Sequence, residues 1–234
     1  MKLWGIGDSF MENFYDPSVE DNGESQHWFN LVRAAVKPED WYCNGRGSRD
    51  TQTILDIFFQ HMHQMKSDDV VFLFLPDARW RIPNKQENDT FSQKSVDYYV
   101  GSGQFKGEVE EILRHFVPSL LNNRSELSQY NLVSQLTEAT IENYHKILES
   151  IKKTFSFKVI FLSWNERYWS NEYLNTKEPL VWNRSYLTEK IGFWETKNDL
   201  YDRGDAVPKN FKRDHHWSMN MHKHFAEFII KEVF

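Results

Sequence analysis

The chain has 234 residues, enough for one large core and too few for two domains without an evident linker. Hydrophobic residues make up 40% of it and aromatics 16%, which excludes a disordered tail-like protein, while 26% charged residues and the lack of a long apolar run exclude a membrane span. A net charge of -6 without any Lys/Arg cluster argues against a nucleic-acid partner, because phosphate binding is driven by basic clusters and counterion release. The lone cysteine, Cys43, has no internal disulfide partner and sits beside Trp41 and Tyr42, where a buried, inert thiol is expected. Lys2 is followed by too short an apolar run for a signal peptide, so a cytoplasmic protein with no membrane anchor is expected.

In chain order, Leu3 to Ile6 form a short apolar run that breaks into Gly7-Asp8-Ser9, as a buried strand ending in a turn does. Trp28, Leu31, Val32 and Ala35 recur at helical spacing before Pro38, which predicts a helix from about Gln26 to Val36. Trp41 to Cys43 read as a second strand, ending in Asn-Gly-Arg-Gly-Ser-Arg-Asp. Ile54, Leu55, Phe58 and Met62 then put one apolar face on a helix that starts at Thr51. The run Val70 to Leu75, stopped by Pro76, has no polar alternation and predicts a strand buried on both faces of a parallel sheet.

From about 77 to 136 the pattern weakens into an insertion, a candidate lid, with helical pieces near Gly107 to Phe116 and Pro118 to Gln129. From Thr137, Ile141, Tyr144, Leu148 and Ile151 mark another helix, followed by a fourth strand in Phe157 to Trp164 and a Trp- and Tyr-rich loop. Met221, Phe225, Phe228 and Ile229 mark a terminal helix. The repeated strand-helix order predicts a single α/β domain over 1–234, with a parallel sheet covered by helices on both faces.

The chemistry-bearing residues lie at the two ends. Ser9 stands just past the first strand, where open α/β sheets place their ligands and where a hydroxyl on a tight turn is a candidate nucleophile; a capping serine is the plainer alternative. Before the last helix the chain reads Lys-Arg-Asp-His-His-Trp-Ser. In an extended segment Asp214 and His216 share a face and His215 points the other way. An Asp beside a His fixes the imidazole tautomer and stabilises the imidazolium, which is what a serine nucleophile requires of its base. Ser218 is placed to cap the helix that follows.

Three blocks, Gly7-Asp-Ser-Phe10, Asn44-Gly-Arg-Gly-Ser48 and Asp214-His-His-Trp217, come in the order found in the SGNH hydrolases, the GDSL-type esterase and acetyl-transfer superfamily, which the chain resembles along nearly its whole length. The resemblance implies a three-layer α/β/α, flavodoxin-like parallel sheet. It implies Ser9 as nucleophile, His216 as general base and Asp214 as its orienter, with oxyanion donors at the Ser9 and Gly47 backbone N-H groups. The Asp-x-His-Trp form is similar to that of carbohydrate O-acetyltransferases and acetylesterases, which points to O-acetyl groups on carbohydrate.

One block departs. The family carries a Gly-x-Asn-Asp after the third strand, whose Asn completes the oxyanion hole, whereas this chain has Leu-Pro-Asp-Ala-Arg from Leu75 to Arg79. Asp77 stands near the Asn position, a carboxylate facing a developing negative charge, and loss of such a donor costs about a hundredfold to a thousandfold in rate. Arg79 is the first candidate to replace it, with Arg81 and Asn44 behind; Asn44 also reads as an ordinary turn residue. The alternative reading is a catalytically inactive SGNH-like domain that binds glycan or serves as a structural protein.

His215, His216, His222 and His224 with Asp214 suggest a metal set, but His222 and His224 diverge by about 200° on a helix and no metal is expected. No organic cofactor is implied, and a nucleotide fold lacks its glycine motif. The aromatics between Trp164 and Trp194 fit either core packing or a sugar-stacking surface, and Asn165 would line the crevice by position. The expected partner is a small-molecule or carbohydrate ester; the oligomeric state stays open.

Overall fold

The computed structural model describes residues 1–11, 27–46, 49–76, 79–83, 93–97, 126–164, 169, 179–191, 217 and 219–234, with the backbone alone for 79–83, 93–97, 126–138 and 219–220. Five parallel strands form the main sheet: β1 (Lys2–Gly7), β2 (Asp40–Gly45), β3 (Val70–Leu75), β6 (Lys158–Ser163) and β7 (Val181–Trp182), in the order β2-β1-β3-β6-β7. A separate antiparallel pair joins β4 (Arg79–Pro83) to β5 (Gln93–Asp97). The helices are α1 (Trp28–Val36), α2 (Thr51–His61), α3 (Glu126–Thr154), α4 (Arg184–Ile191) and α5 (Met219–Val233).

All six residues of β3 are buried, because the strand has helices on both sides. Side chains alternate between faces along each strand. Leu3, Phe72, Phe74 and Leu162 therefore join Trp28, Phe29 and Val32 of α1, Leu187 of α4 and Phe225 and Ile229 of α5 in one core. Trp4, Ile6, Val71, Leu73 and Phe161 join Ile54, Leu55 and Phe58 of α2 and Ile141, Leu148 and Ile151 of α3 in the other. Parallel crossovers are right-handed, so a reversal in the direction of sheet growth moves the next helix to the opposite face. Growth runs from β1 outward to β2 and then back past β1 to β3, which is why α1 and α2 lie on opposite sides.

Three expectations need correction. The helix expected from Thr137 begins at Glu126: Leu127, Tyr130, Val133 and Leu136 continue its pattern upstream, but Ser128, Asn131 and Ser134 between them are poor helix formers that weaken the signal. Part of the 77–136 insertion is the β4/β5 hairpin, whose five-residue strands are rich in charge. The expected loop from Trp164 to Trp194 holds β7, at two residues too short to show a period, and α4. The remaining helical pieces, Gly107 to Phe116 and most of Pro118 to Gln129, lie outside the described residues.

Candidate functional site

The site is built at the tip of β1. Gly7 is required there, because a Cβ would lie 2.7 Å from Phe74 Cβ and 2.8 Å from Met11 Cβ. The turn that follows folds tightly against β3, with the Asp8 N-H donating to the Phe74 carbonyl at 3.3 Å. The buried Asp8 organises the rest: its Oδ1 accepts the Phe10 N-H at 2.9 Å and its carbonyl accepts the Met11 N-H at 3.1 Å. The backbone donors of residues 8, 10 and 11 are thus all taken. The half-buried Ser9 makes no hydrogen bond among the described residues, through either its N-H or its hydroxyl.

The far side of the turn is held by the start of α1. The Phe10 carbonyl accepts two donors, His27 Nε2-H at 3.2 Å and Trp28 Nε1-H at 2.9 Å. His27 also caps α1, its Nδ1 accepting the Phe29 N-H at 3.3 Å, and this pair of bonds assigns the neutral tautomer with the proton on Nε2. Burial pushes its pKa from 6.5 down to about 4, partly opposed by the bond to the Phe10 carbonyl. From α5, His222 Nδ1 accepts the Trp28 N-H at 3.4 Å, and its ring stands 4.9 Å from that of His27.

On the β2 side, the Gly7 carbonyl accepts the Arg46 N-H at 3.2 Å and Arg49 Nη1-H at 3.5 Å. Arg49 also donates to the Asn44 carbonyl and to Asn44 Oδ1, at 2.5 and 2.7 Å. The Asn44 amide in turn donates to the Tyr42 hydroxyl at 2.7 Å. This network ties the tips of β1 and β2 together directly beneath the turn.

An aromatic wall stands along the same sheet edge. Phe10 stacks on Phe74 at 5.4 Å and meets Trp217 at 5.2 Å and Trp164 at 6.1 Å. Trp217 further packs on Trp164 and Phe225, at 5.0 and 4.7 Å. The contact of Phe10 with Trp217 joins the residue after Ser9 to the residue after His216. The two ends of the sequence meet there. Of the other expected site residues, Asn44 lies at the β2 tip, and Arg79 opens β4 opposite Asp97. Gly47, Asp77, Asn165, Asp214, His215, His216 and Ser218 lie outside the described residues.

Sequence reasoning missed His27 and set His222 aside as a metal candidate. His27 carried a signal, standing immediately before the first apolar residue of a helical pattern, where a cap belongs. His222 falls with Met221, Phe225 and Ile229 on the buried face of α5. Of the expected aromatic loop, Trp169 is a core residue, 1% exposed, with its indole N-H donating to the Pro76 carbonyl at 3.0 Å.

Among the described residues no cluster of three or more His, Cys, Asp or Glu is placed to hold a metal ion, and no helix is long and apolar enough to cross a membrane. No protein-family model matches the chain, and no curated protein matches it in sequence.

Proposed function

We propose that the protein is a serine hydrolase of the SGNH type that cleaves or transfers an acyl ester, with O-acetyl groups on carbohydrate as the substrate class. The observation that carries this reading is the contact between Phe10 and Trp217, which brings the neighbour of the proposed nucleophile against the neighbour of the proposed base. The strand order supports it as well. With β2-β1-β3 at its start, the sheet reverses direction between β1 and β3, and open sheets of this flavodoxin-like order bind ligands at that reversal, outside the carboxyl ends of the strands. Ser9 stands at that point.

In the proposed mechanism the Ser9 hydroxyl attacks the ester carbonyl while His216, oriented by Asp214, takes its proton. The tetrahedral oxyanion is met by the Ser9 N-H, which has no acceptor among the described residues, and by the Gly47 N-H. Arg79 or Asn44 would supply the donor that Asp77 does not. His216 then returns the proton to the leaving alcohol, and water or an acceptor hydroxyl releases the acyl group from Ser9. The chemistry calls for neither metal nor organic cofactor.

The test is hydrolysis of p-nitrophenyl acetate and labelling by a fluorophosphonate, with wild type compared against Ser9→Ala. Turnover and label in wild type, both lost in the variant, support the reading. Equal signals from both proteins overturn it. Absence of turnover, with binding on a glycan array unaffected by Ser9→Ala, selects the inactive glycan-binding alternative that Asp77 favours.

A further inference from the structure

Histidine is an unusual cap for a helix, since Ser, Thr, Asp and Asn supply the side-chain oxygen more cheaply. At α1 a single imidazole does what none of those can. Its Nδ1 accepts the Phe29 N-H, and its Nε2-H, on the far side of the same rigid ring, donates to the Phe10 carbonyl. A carboxylate has only acceptors, and a hydroxyl or amide is too short to span both groups.

The bond to Phe10 reaches Ser9 through two rigid peptide planes. The Phe10 carbonyl and the Met11 N-H belong to one planar unit, so fixing the carbonyl fixes the N-H. That N-H donates to the Asp8 carbonyl. The Asp8 carbonyl and the Ser9 N-H belong to the next planar unit and point in opposite directions, as in any trans peptide. The direction of the Ser9 N-H, which meets no acceptor among the described residues, is therefore set by a chain of contacts that begins at His27, helped by Trp28.

We propose that His27 is a positioning residue, which aims the Ser9 N-H at the oxyanion through the Phe10-Met11 and Asp8-Ser9 peptide planes. This rests on the acyl-transfer reading for the identity of the reaction, though not for the coupling between the two residues. Burial that keeps the imidazole uncharged at neutral pH maintains both of its bonds under working conditions. His222, packed against the same ring and bonded to the Trp28 backbone, extends the support to α5.

The experiment separates capping from aiming. His27→Asn retains a side-chain cap for α1 but cannot also reach the Phe10 carbonyl. In p-nitrophenyl acetate hydrolysis it is expected to lower kcat about tenfold to a hundredfold, a part of what losing an oxyanion donor costs, with KM and thermal midpoint little changed. Nitrogen-15 NMR gives readouts that need no turnover. The wild-type His27 ring is expected as the Nε2-H tautomer at neutral pH, and the Ser9 amide resonance is expected to move in His27→Asn. A charged or Nδ1-H ring, an unmoved Ser9 amide, or an unchanged kcat overturns the proposal. A wild type with the expected tautomer and Ser9 shift but no turnover overturns the hydrolase reading and supports the His27 coupling. If His27→Asn fails to fold, His27→Ser makes the same separation.

Discussion

The two edges of the main sheet treat their polar groups in opposite ways. At the amino edge, the buried carboxylate of Asp69, just ahead of β3, accepts the Lys2 N-H at 2.7 Å, the Trp4 indole N-H at 3.1 Å and the Lys66 N-H at 3.0 Å. Its carbonyl takes the Lys158 N-H at 3.1 Å, and Lys158 Nζ reaches the Val233 carbonyl near the end of α5 at 2.6 Å. At the carboxyl edge, among the described residues, the Ser9 N-H meets no acceptor, and the buried Trp217 indole N-H and Thr51 hydroxyl have no partner either. Unsatisfied buried polar groups are costly, so Trp217 and Thr51 at the carboxyl edge contrast with the fully bonded Asp69 at the other.

This contrast can be broken at either edge. The largest effect is expected from Asp69→Ala, which strands three donors, two of them on the first strand, and lowers unfolding free energy by about 4 kcal/mol in a urea titration. The same variant is expected to keep wild-type kcat at temperatures where it is folded. A large fall in kcat there would mean the edges are not separable.

Acid comes next. The folded pKa of His27 lies below its unfolded value, so its contribution to stability is present above pH 6.5 and is lost as the pH falls from 6.5 to about 4, where the folded state also takes up the proton. The loss across that window is about 3 kcal/mol from this buried group. Thermal midpoints measured against pH are expected to flatten in this range for His27→Asn, and a wild-type slope that survives the substitution would assign the loss elsewhere.

The smallest effect on stability is expected from Gly7→Ala, where the new methyl must displace Phe74 or Met11 at a cost of about 2 kcal/mol. Its effect on kcat is expected to be larger than its effect on folding, because the displaced atoms carry the bond between the Asp8 N-H and the Phe74 carbonyl. The comparison fails if stability falls while kcat does not.

How much of this was legible beforehand follows from what each element needs. Val70 to Leu75 could be read directly, because a strand buried on both faces leaves no room for polar residues. The α2 stripe of Ile54, Leu55 and Phe58 is equally plain, since one helix face packs and the other is wet. The early turns of α3 were hidden because Ser128, Asn131 and Ser134 weaken the helical signal there, and β7 because two residues cannot show any period. At the site, Ser9 stood out through its neighbours Gly7 and Asp8. The role of His27 did not, because it depends on Phe10, 17 positions away along the chain, and on a tautomer that only the assembled hydrogen bonds define. Long-range pairings of this kind have no local pattern to betray them.

The hydrogen bond from Trp28 to His222 spans 194 residues of chain. A ribosome releases the first strand and its turn long before it makes α5, so the nascent polypeptide carries a serine loop still lacking one of its props. Closing so wide a loop is among the slower steps in folding. The turn after β1 is then fully braced only once α5 has been made and has docked against α1.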